Sequence, residues 1–336
     1  MRPLLLTLLF FFTCTSLCKG QDPNFSQFFS SPLTLNPANI GNFEGTLRLS
    51  SNYRNQWPGF NNAFITSTIA ADGSIFENSI AQNDRIGWGG LLMLDASGNG
   101  VLSQQSALIG LSYSKGLDDS RNHVLNLGFQ TSYLNLGFNP AKANFEDELS
   151  PTGFDIQTAE NFFLNGNKRS MFDLHSGIQY IGKLSENQLM YIGLGVYHLL
   201  RPKSGLLNVR YFTPVRYNLN AGGYNVLDVN NALHYSAQFQ RQGSFKELVY
   251  GIAWNRILYE QQNKNIQGYL GLWIRNNEDA IPYMALEWNG FRVGFSYDIG
   301  VSSKQTASTQ YQSAEVSLLW IKGKETRNMN LQCPKF

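Results

Sequence analysis

Apolar and polar side chains alternate along most of this chain with a period of two residues. Near the carboxyl end, Phe291, Val293 and Phe295 alternate with Arg292 and Gly294. A strand places successive side chains on opposite faces of a sheet, whereas a helix repeats every 3.6 residues, so this pattern predicts strands. Alternation together with turn signals predicts about fourteen strands. They span 46–56, 62–71, 85–95, 104–116, 121–135, 171–182, 188–199, 214–225, 231–241, 246–258, 265–275, 279–288, 290–300 and 311–321.

The two faces of these strands favour a membrane barrel over a soluble sandwich. One face carries charged residues such as Arg48, Arg54 and Asp173, and the other carries large apolar residues with aromatics near the strand ends. Transmembrane barrels have an apolar exterior, a polar interior and aromatic girdles. The fold class that we predict is therefore all-β, a transmembrane antiparallel β-barrel of about fourteen strands over residues 44–322.

The connections between these strands alternate in length. The longest, 136–170, 200–213 and 301–310, follow odd-numbered strands, whereas a tight turn near 117–120 follows an even-numbered one. Bacterial barrels have short periplasmic turns and longer external loops. The pattern therefore predicts that both ends of the chain lie in the periplasm, with a periplasmic tail at 323–336.

The chain opens with the features of a secretory signal peptide. Arg2 precedes an apolar run over 4–12, and small and polar residues follow. We predict a signal peptide at 1–20, cleaved after Gly20. A lipoprotein cysteine at Cys18 is the less favoured alternative, because the residue before it is not small.

The stretch at 21–43 contains three prolines, which exclude a long helix or strand. We predict an irregular segment there. A barrel of about fourteen strands has a lumen too wide for wall side chains alone to fill. The irregular segment is therefore expected to plug the lumen.

Composition narrows the classes of function. Charged residues make up only 15% of the chain and aromatic residues 13%, with a formal net charge of +2. Disorder is excluded by the aromatic content, and nucleic-acid binding by the lack of clustered Lys and Arg. Cys14 and Cys18 lie in the predicted signal peptide and Cys333 is alone near the carboxyl end, so we expect no internal disulfide in the mature chain.

The sequence contains no recognisable catalytic or metal-binding pattern. Its four histidines, His123, His175, His198 and His234, form no close ligand pair. A Gly-x-Ser-x-Gly nucleophile elbow and a phosphate loop are both missing. We therefore predict that the protein is not an enzyme, holds no metal and needs no cofactor.

The long connection at 138–169, which includes Phe154 and Asp155, is the best candidate for binding outside the cell. It carries five acidic residues but lacks the ordered acidic spacing around a central glycine that a calcium loop needs. A solvated acidic loop is favoured over a calcium site. Its length nevertheless favours a partner-binding surface.

Four residues at the end of the first strand, Tyr53, Arg54, Gln56 and Trp57, combine aromatic rings, an amide and a guanidinium. They fit an aromatic girdle with an inward-pointing arginine. They fit a contact with cargo or with the plug equally well. Both interpretations stay open.

Six parts of the chain carry short motifs of a recognisable kind. They are Gln21-Asp22-Pro23-Asn24-Phe25-Ser26-Gln27-Phe28 followed by Asn36-Pro37-Ala38; Tyr53-Arg54-Asn55-Gln56-Trp57; Gly195-Val196-Tyr197-His198-Leu199-Leu200-Arg201-Pro202; Gly271-Leu272-Trp273-Ile274-Arg275; Gly294-Phe295-Ser296-Tyr297-Asp298; and Cys333-Pro334-Lys335-Phe336. In this order, they resemble the motifs of the PorP/SprF family of the type IX secretion system. Each motif alone is weak, but together they extend over nearly the whole chain.

The resemblance implies an outer-membrane protein of Bacteroidota that helps to export or anchor surface cargo, in some members an adhesin for gliding motility. It implies three kinds of partner: periplasmic ring proteins of the secretion machinery, cargo with a C-terminal sorting domain, and outer-membrane lipid. It also marks His198, Arg201, Cys333 and Phe336 as candidate partner contacts. From position alone, His198 fits a structural role at a strand end, and the tail fits a frayed terminus.

The function that we predict is therefore a type IX secretion barrel that binds cargo rather than catalyses a reaction. The alternative is an outer-membrane channel of the fatty-acid-transporter type. The inferred lumen faces are polar and mixed, which argues mildly against an apolar substrate. A hydrolase is disfavoured by the missing catalytic constellation.

Overall fold

The computed structural model describes residues 22–60, 63–75, 84–154, 167–205, 211–261, 264–301 and 312–323. The predicted signal peptide and the predicted tail beyond Gly323 lie outside these residues. Asp155, Cys333 and Phe336 also lie outside them.

The described residues form sixteen strands. In chain order, they are β1 (Leu47–Gln56), β2 (Phe64–Ile75), β3 (Asp84–Ser97), β4 (Leu102–Gly116), β5 (His123–Phe138), β6 (Leu149–Ser150), β7 (Gly153–Phe154), β8 (Asn167–Ser185), β9 (Gln188–Tyr197), β10 (Arg216–Asp228), β11 (Asn231–Gln242), β12 (Phe245–Gln261), β13 (Lys264–Arg275), β14 (Asp279–Trp288), β15 (Phe291–Gly300) and β16 (Ser313–Lys322). Short 3-10 turns at Pro58–Phe60, Pro140–Lys142 and Glu146–Glu148 lie in the connections.

Fourteen of these strands close into one antiparallel barrel, while β6 and β7 form a separate hairpin in the connection from β5 to β8. β1 pairs with β16 along its whole length, from Leu47 opposite Lys322 to Gln56 opposite Ser313. The predicted barrel and strand number are confirmed. Strand ends differ from the predicted ones by four residues at most, as at the start of β8, which we predicted at 171 and find at 167.

Side chains of β1 alternate between the lumen and the outer surface, as the sequence predicted. Arg48, Asn52 and Arg54 are buried, whereas Leu49 and Tyr53 are exposed. The same division gives the barrel an apolar exterior and a polar interior, because successive residues of a pleated strand face opposite ways. Among the described residues, no helix has the length and apolar character needed to span a bilayer.

The two mouths of the barrel differ in the connections that they carry. The mouth at which β5 and β9 end is here called the long-loop mouth, although the two-residue turn between β11 and β12 also lies there. The short-turn mouth bears tight turns at 186–187, 229–230 and 289–290. Short turns are periplasmic in bacterial barrels, so an outward-facing long-loop mouth stays a prediction.

Residues 22–43 lie inside the barrel ahead of β1, and we call them the lumen segment. They form 3-10 turns at Phe28–Ser30 and Pro37–Asn39 on either side of a one-turn α-helix, Pro32–Leu35. Proline begins the helix and the second turn, positions where its missing N–H would have no partner inside the helix. The irregular segment thus occupies the lumen.

The lumen segment runs from one mouth to the other. Asp22 lies at the long-loop mouth, where its backbone N–H donates to Oε1 of Gln242 at 2.9 Å. Phe43 packs against Leu319 and Ile321 near the short-turn mouth, where β1 begins. The expectation that both chain ends lie at the short-turn mouth is therefore wrong for Asp22. Loop lengths follow the path of the chain only from β1 onward, and they carry no information on the residues before it.

Apolar contacts fix the lumen segment at two levels of the barrel. Phe29 lies with its ring centroid 4.7 Å from that of Trp273 and 5.3 Å from that of Tyr283. Leu33 and Ile40 form a second cluster with residues of β2, β3 and β4. Each fully buried side chain of this size contributes about 1.5–3 kcal/mol. Side-chain contacts, not strand pairing, therefore hold the segment in place.

Glycines in the wall allow the lumen segment to approach the strands closely. A Cβ at Gly128 would lie 2.2 Å from the carbonyl carbon of Pro37, which is backbone and cannot rotate away. A Cβ at Gly177 would lie 2.0 Å from Oδ1 of Asn36. A side chain at either position would therefore collide with the segment.

We expect Gly128→Val to lower the free energy of unfolding by about 1–3 kcal/mol, the usual effect of overpacking. Urea titration of tryptophan fluorescence in detergent micelles measures it. Gly90→Val is the control, because the nearest atom to a Cβ there is at an ordinary 3.5 Å. Equal losses in the two variants would contradict a tight contact at Gly128.

Candidate functional site

Charged and imidazole side chains converge at the long-loop mouth, where the lumen segment enters. Asp22 comes from the lumen segment, and Asp173 and His175 come from β8. His198 directly follows β9, and Arg216 begins β10. The four residues of the barrel wall are buried. We call these five residues the mouth site.

His198 lies at the centre of the mouth site, between two carboxylates. Its Nδ1 is 2.5 Å from Oδ2 of Asp173, and its Nε2 is 2.7 Å from Oδ2 of Asp22. An imidazolium can donate to both carboxylates, whereas a neutral imidazole donates to only one, so this geometry favours a protonated His198. The same Asp22 oxygen lies 3.3 Å from Nε of Arg216, and its Oδ1 accepts from Nε2 of Gln242 at 3.0 Å.

The wall side of the mouth site has contacts that do not involve the lumen segment. The backbone N–H of His198 donates to Nδ1 of His175 at 3.1 Å, and Nε2 of His175 lies 2.9 Å from Oγ of Ser132. Oδ1 of Asp173 accepts from two backbone N–H groups. His198 has a φ of 60°, an unfavourable value for a residue with a Cβ, which these contacts stabilise.

Arg216 and Asp22 differ in how deeply they lie. The guanidinium carbon of Arg216 is 4.1 Å from the ring centroid of the buried Tyr197, a cation–π distance. The side chain of Asp22 is 18% exposed, against 6% for His198 and 9% for Arg216. Asp22 is therefore the outermost partner of the two cations.

Hydrogen bonds in the mouth site disfavour both a metal ion and a hydrolytic triad. Ligand atoms of Asp173, His175 and His198 lie within 4.8 Å of one another, close enough for a metal ion. Nδ1 of His198 and Oδ2 of Asp173 are joined by a hydrogen bond, however, and Nδ1 of His175 already accepts a backbone N–H. For the same reason a neutral His175 carries its proton on Nε2 and donates it to Ser132, so it cannot take a proton from that hydroxyl. That the protein is not an enzyme and binds no metal stays a prediction.

The pairing of Asp22 with His198 links the mouth site to pH. Burial lowers the pKa of His198, but the charge of Asp22 and hydrogen bonds to Asp173 and Asp22 outweigh burial and raise this pKa from 6.5 to about 9. Burial raises the pKa of Asp22, but the charges of His198 and Arg216 outweigh it and hold this pKa below its ordinary 3.8. The contribution of His198 to stability is therefore complete below pH 6.5 and lost as pH rises through about 9. The contribution of Asp22 is complete above pH 3.8 and lost as pH falls.

We expect the start of the lumen segment to be held most firmly between pH 3.8 and pH 6.5 and to loosen as pH rises through about 9. A fluorophore on Gln21→Cys, in a Cys333→Ser background, reports this as a fall in anisotropy on the alkaline side. Asp22→Asn is the control and should lose most of that fall. A wild-type anisotropy that does not change between pH 6 and pH 10 would contradict the pairing.

A second group of buried ion pairs holds the lumen segment just below the mouth site. Arg54 donates through Nη1 to the carbonyl oxygen of Asn24 at 2.7 Å and through Nη2 to Oδ2 of Asp298 at 3.0 Å. Oδ1 of Asp298 accepts from Oγ of Ser26 at 2.8 Å, and its Oδ2 lies 2.6 Å from Nη1 of Arg275. Arg54 therefore points inward and contacts the plug, so both interpretations of this residue stay open.

The other residues predicted together with Arg54 are not brought to it. Tyr53 is 47% exposed on the outer face of the barrel. Gln56 and Trp57 are half-buried at the end of β1, where the ring of Trp57 lies 5.4 Å from that of Phe64. Neighbouring residues of a strand face opposite ways, so Tyr53 does not share a surface with Arg54.

Of the remaining predicted site residues, Arg201 borders the mouth site, Phe154 lies in a separate hairpin, and the others lie outside the described residues. Phe154 ends β7 and pairs with Leu149 in the hairpin of the long connection. Arg201 is exposed, and its backbone N–H donates to the carbonyl oxygen of His198 at 3.1 Å. Nothing is described for Asp155, Cys333 or Phe336.

Of the mouth site, only His198 was predicted from the sequence as a site residue; Asp22, Asp173, His175 and Arg216 were not. Asp173 and His175 stand two apart on the polar face of one predicted strand, which was a usable signal. Arg216 stands at the start of another strand. No local pattern brings Asp22 to them, because the contact depends on the route of the lumen segment.

A family model described as "Type IX secretion system membrane protein PorP/SprF" matches residues 17–320. A search of curated proteins found no match.

Solved barrel structures are similar to this chain at very low sequence identity. The Pseudomonas putida toluene transporter TodX has 6% identity over 86% of this chain and 91% of that chain, with a TM-score of 0.47. A Pseudomonas aeruginosa FadL homologue has 9% identity over 87% of this chain and 94% of that chain, with a TM-score of 0.46. The KdgM porin has 5% identity over 81% of this chain and 98% of that chain, with a TM-score of 0.39. Similarities this weak support no inference about function.

Proposed function

Because the chain belongs to the PorP/SprF family of type IX secretion membrane proteins, we propose that it is a barrel component of that system that binds surface cargo and helps to export or anchor it. The barrel lies in the outer membrane, where its closed sheet and apolar exterior suit the lipid. The cargo is a protein with a C-terminal sorting domain, and in a gliding host it includes the adhesin. Periplasmic ring proteins contact the short-turn mouth and the tail.

The observation that carries this proposal is the occupied lumen. Residues 22–43 run through the barrel from mouth to mouth and are fixed by apolar clusters and by hydrogen bonds to buried ion pairs of the wall. A barrel that blocks its own lumen offers its loops and rims, rather than a pore, to other proteins. Binding of cargo at the long-loop mouth and of machinery at the short-turn mouth is the function that fits this arrangement.

The alternative, a channel of the fatty-acid-transporter type, needs a continuous path through the lumen. The lumen segment would have to leave or leave room beside it. Steady ion conduction by the full chain would favour this alternative over the secretion role.

Affinity purification from native membranes tests the proposal. The tagged protein is crosslinked, extracted in mild detergent and analysed by mass spectrometry beside a variant that lacks residues 324–336. Retention of a protein with a C-terminal sorting domain, or of periplasmic ring proteins, supports the proposal, and loss of the ring proteins alone in the variant assigns them to the tail. A crosslinked barrel that retains neither would overturn it.

A further inference from the structure

We infer that the wall side of the mouth site, made by His198, Arg216 and Gln242, is a carboxylate-binding site that an acidic peptide segment of another protein can occupy in place of Asp22. In this structure the chain fills the site with its own carboxylate. The inference concerns a ligand class and does not depend on the secretion role.

Charge is the first argument for such a site. Without Asp22, the guanidinium of Arg216 and a protonated His198 face a single carboxylate, that of Asp173. Burying an uncompensated cation is costly, so the empty site would either lose the proton of His198 or take up an anion. The wall therefore has an affinity for carboxylates that Asp22 satisfies only while it remains in place.

Depth and preorganisation are the second argument. Asp22 is the outermost member of the mouth site, and the wall residues beneath it are fixed by their own hydrogen bonds. The buried contacts of the lumen segment with Arg54 and Asp298 begin at Asn24, so Asp22 itself is held by His198, Arg216 and Gln242. One carboxylate can therefore replace another without movement of a strand.

A small cavity beside Asp22 narrows the class of peptide. Its volume is about 50 Å³, and besides the mouth site its lining includes Pro23, Leu91, Met93, Leu108 and Leu134 together with polar residues such as Gln104 and Ser106. A carboxylate bound as Asp22 is bound would place the next residue of its chain where Pro23 lies, beside the apolar side chains of this cavity. The site therefore suits an aspartate followed by proline or another small apolar residue, as in Asp22-Pro23 itself.

The tethered Asp22 competes with any such peptide. A group attached by a short linker has an effective concentration of the order of millimolar, so a free peptide binds the wild-type protein weakly. Asp22→Asn removes the competing charge and leaves the wall intact. Binding of a free peptide to the wall should therefore become measurable in this variant.

The experiment measures fluorescence anisotropy of labelled Asp-Pro-Asn-Phe-Ser and Asn-Pro-Asn-Phe-Ser peptides with full-length protein in detergent at pH 6. We expect Asp22→Asn to bind the aspartate probe at least about tenfold more tightly than the wild type. Asp228→Asn, at an exposed turn of the short-turn mouth, is the matched control and should behave as the wild type. Adding Arg216→Gln to Asp22→Asn should abolish the gain.

Binding of both probes alike, or no saturable binding by Asp22→Asn, would overturn the inference and leave Asp22 as an internal contact. If Arg216→Gln does not give a folded barrel, Arg216→Lys replaces it, and preference for the aspartate probe should then fall. Failure of the peptide experiment would leave the secretion role untouched, and a purification without partners would leave this site untouched.

Discussion

Barrels lacking residues 22–43 are expected to conduct ions at least about tenfold better than the full chain in a planar lipid bilayer. The deleted residues supply the buried Phe28, Phe29, Leu33 and Ile40 that fill the lumen between the two mouths. A barrel of fourteen strands is too wide for its wall side chains to close, so water and ions should enter once they are gone. The full chain should show little steady conductance under the same voltage.

A point variant tests the same expectation even if the barrel that lacks residues 22–43 does not fold. Phe29→Asp places a charge between Trp273 and Tyr283 and should expel the lumen segment without shortening the chain. Phe29→Leu keeps an apolar side chain at the same position and is the matched control. Equal conductance of the full chain and the deletion would show that the segment does not block the lumen, and the channel alternative would then be preferred.

Asp72→Ala is expected to lower the free energy of unfolding by about 3–5 kcal/mol, the largest loss that we expect from one substitution. Oδ1 and Oδ2 of Asp72 lie 2.9 Å and 2.7 Å from Nε and Nη2 of Arg48, and the two side chains are 1% and 2% exposed. The pair also holds the lumen segment, because Arg48 donates to the carbonyl oxygen of Asn39 and Asp72 accepts the N–H of Gly41. Without the carboxylate, a buried guanidinium loses its counter-charge.

Urea unfolding in detergent micelles, with a double-mutant cycle, tests this reason for the loss. Arg48→Met with Asp72→Ala should be more stable than Asp72→Ala alone, because no unpaired charge remains. Glu186→Ala is the control, since it breaks the exposed pair of Lys183 with Glu186 and should change stability by about 0–1 kcal/mol. A double variant no better than the single one would mean that packing, not charge, accounts for the loss.

The barrel could be predicted from the sequence because membrane outside and polar lumen inside impose a strong local pattern on each strand. In β1, Leu49 and Tyr53 face outward and Arg48 and Arg54 face inward, so a period of two is enforced residue by residue. Turn residues then marked where each strand ends. Strand number and most strand ends follow from these two signals alone.

The mouth site could not be predicted because its parts have no local signal in common. Asp22 meets His198 only because the lumen segment enters at the long-loop mouth, a route set by packing along the whole lumen. The residues around Gly128 give no sign that its missing side chain makes room for Pro37. Grouping Tyr53 with Arg54 ignored the alternation that had located the strand itself.

The contacts of the lumen segment have a consequence for how the chain matures. Ser26 bonds to Asp298, 272 residues further along, and β1 closes the barrel against β16. Ser26 is made early in synthesis, but it can meet Asp298 only after the 272 residues that separate them have been made. Such distant contacts slow folding, and transient exposure of unpaired strand edges favours aggregation. We therefore expect chaperones in the periplasm to protect a long unfolded chain. Neither the pairing of β1 with β16 nor the contact of Ser26 with Asp298 can form before the last strands are present.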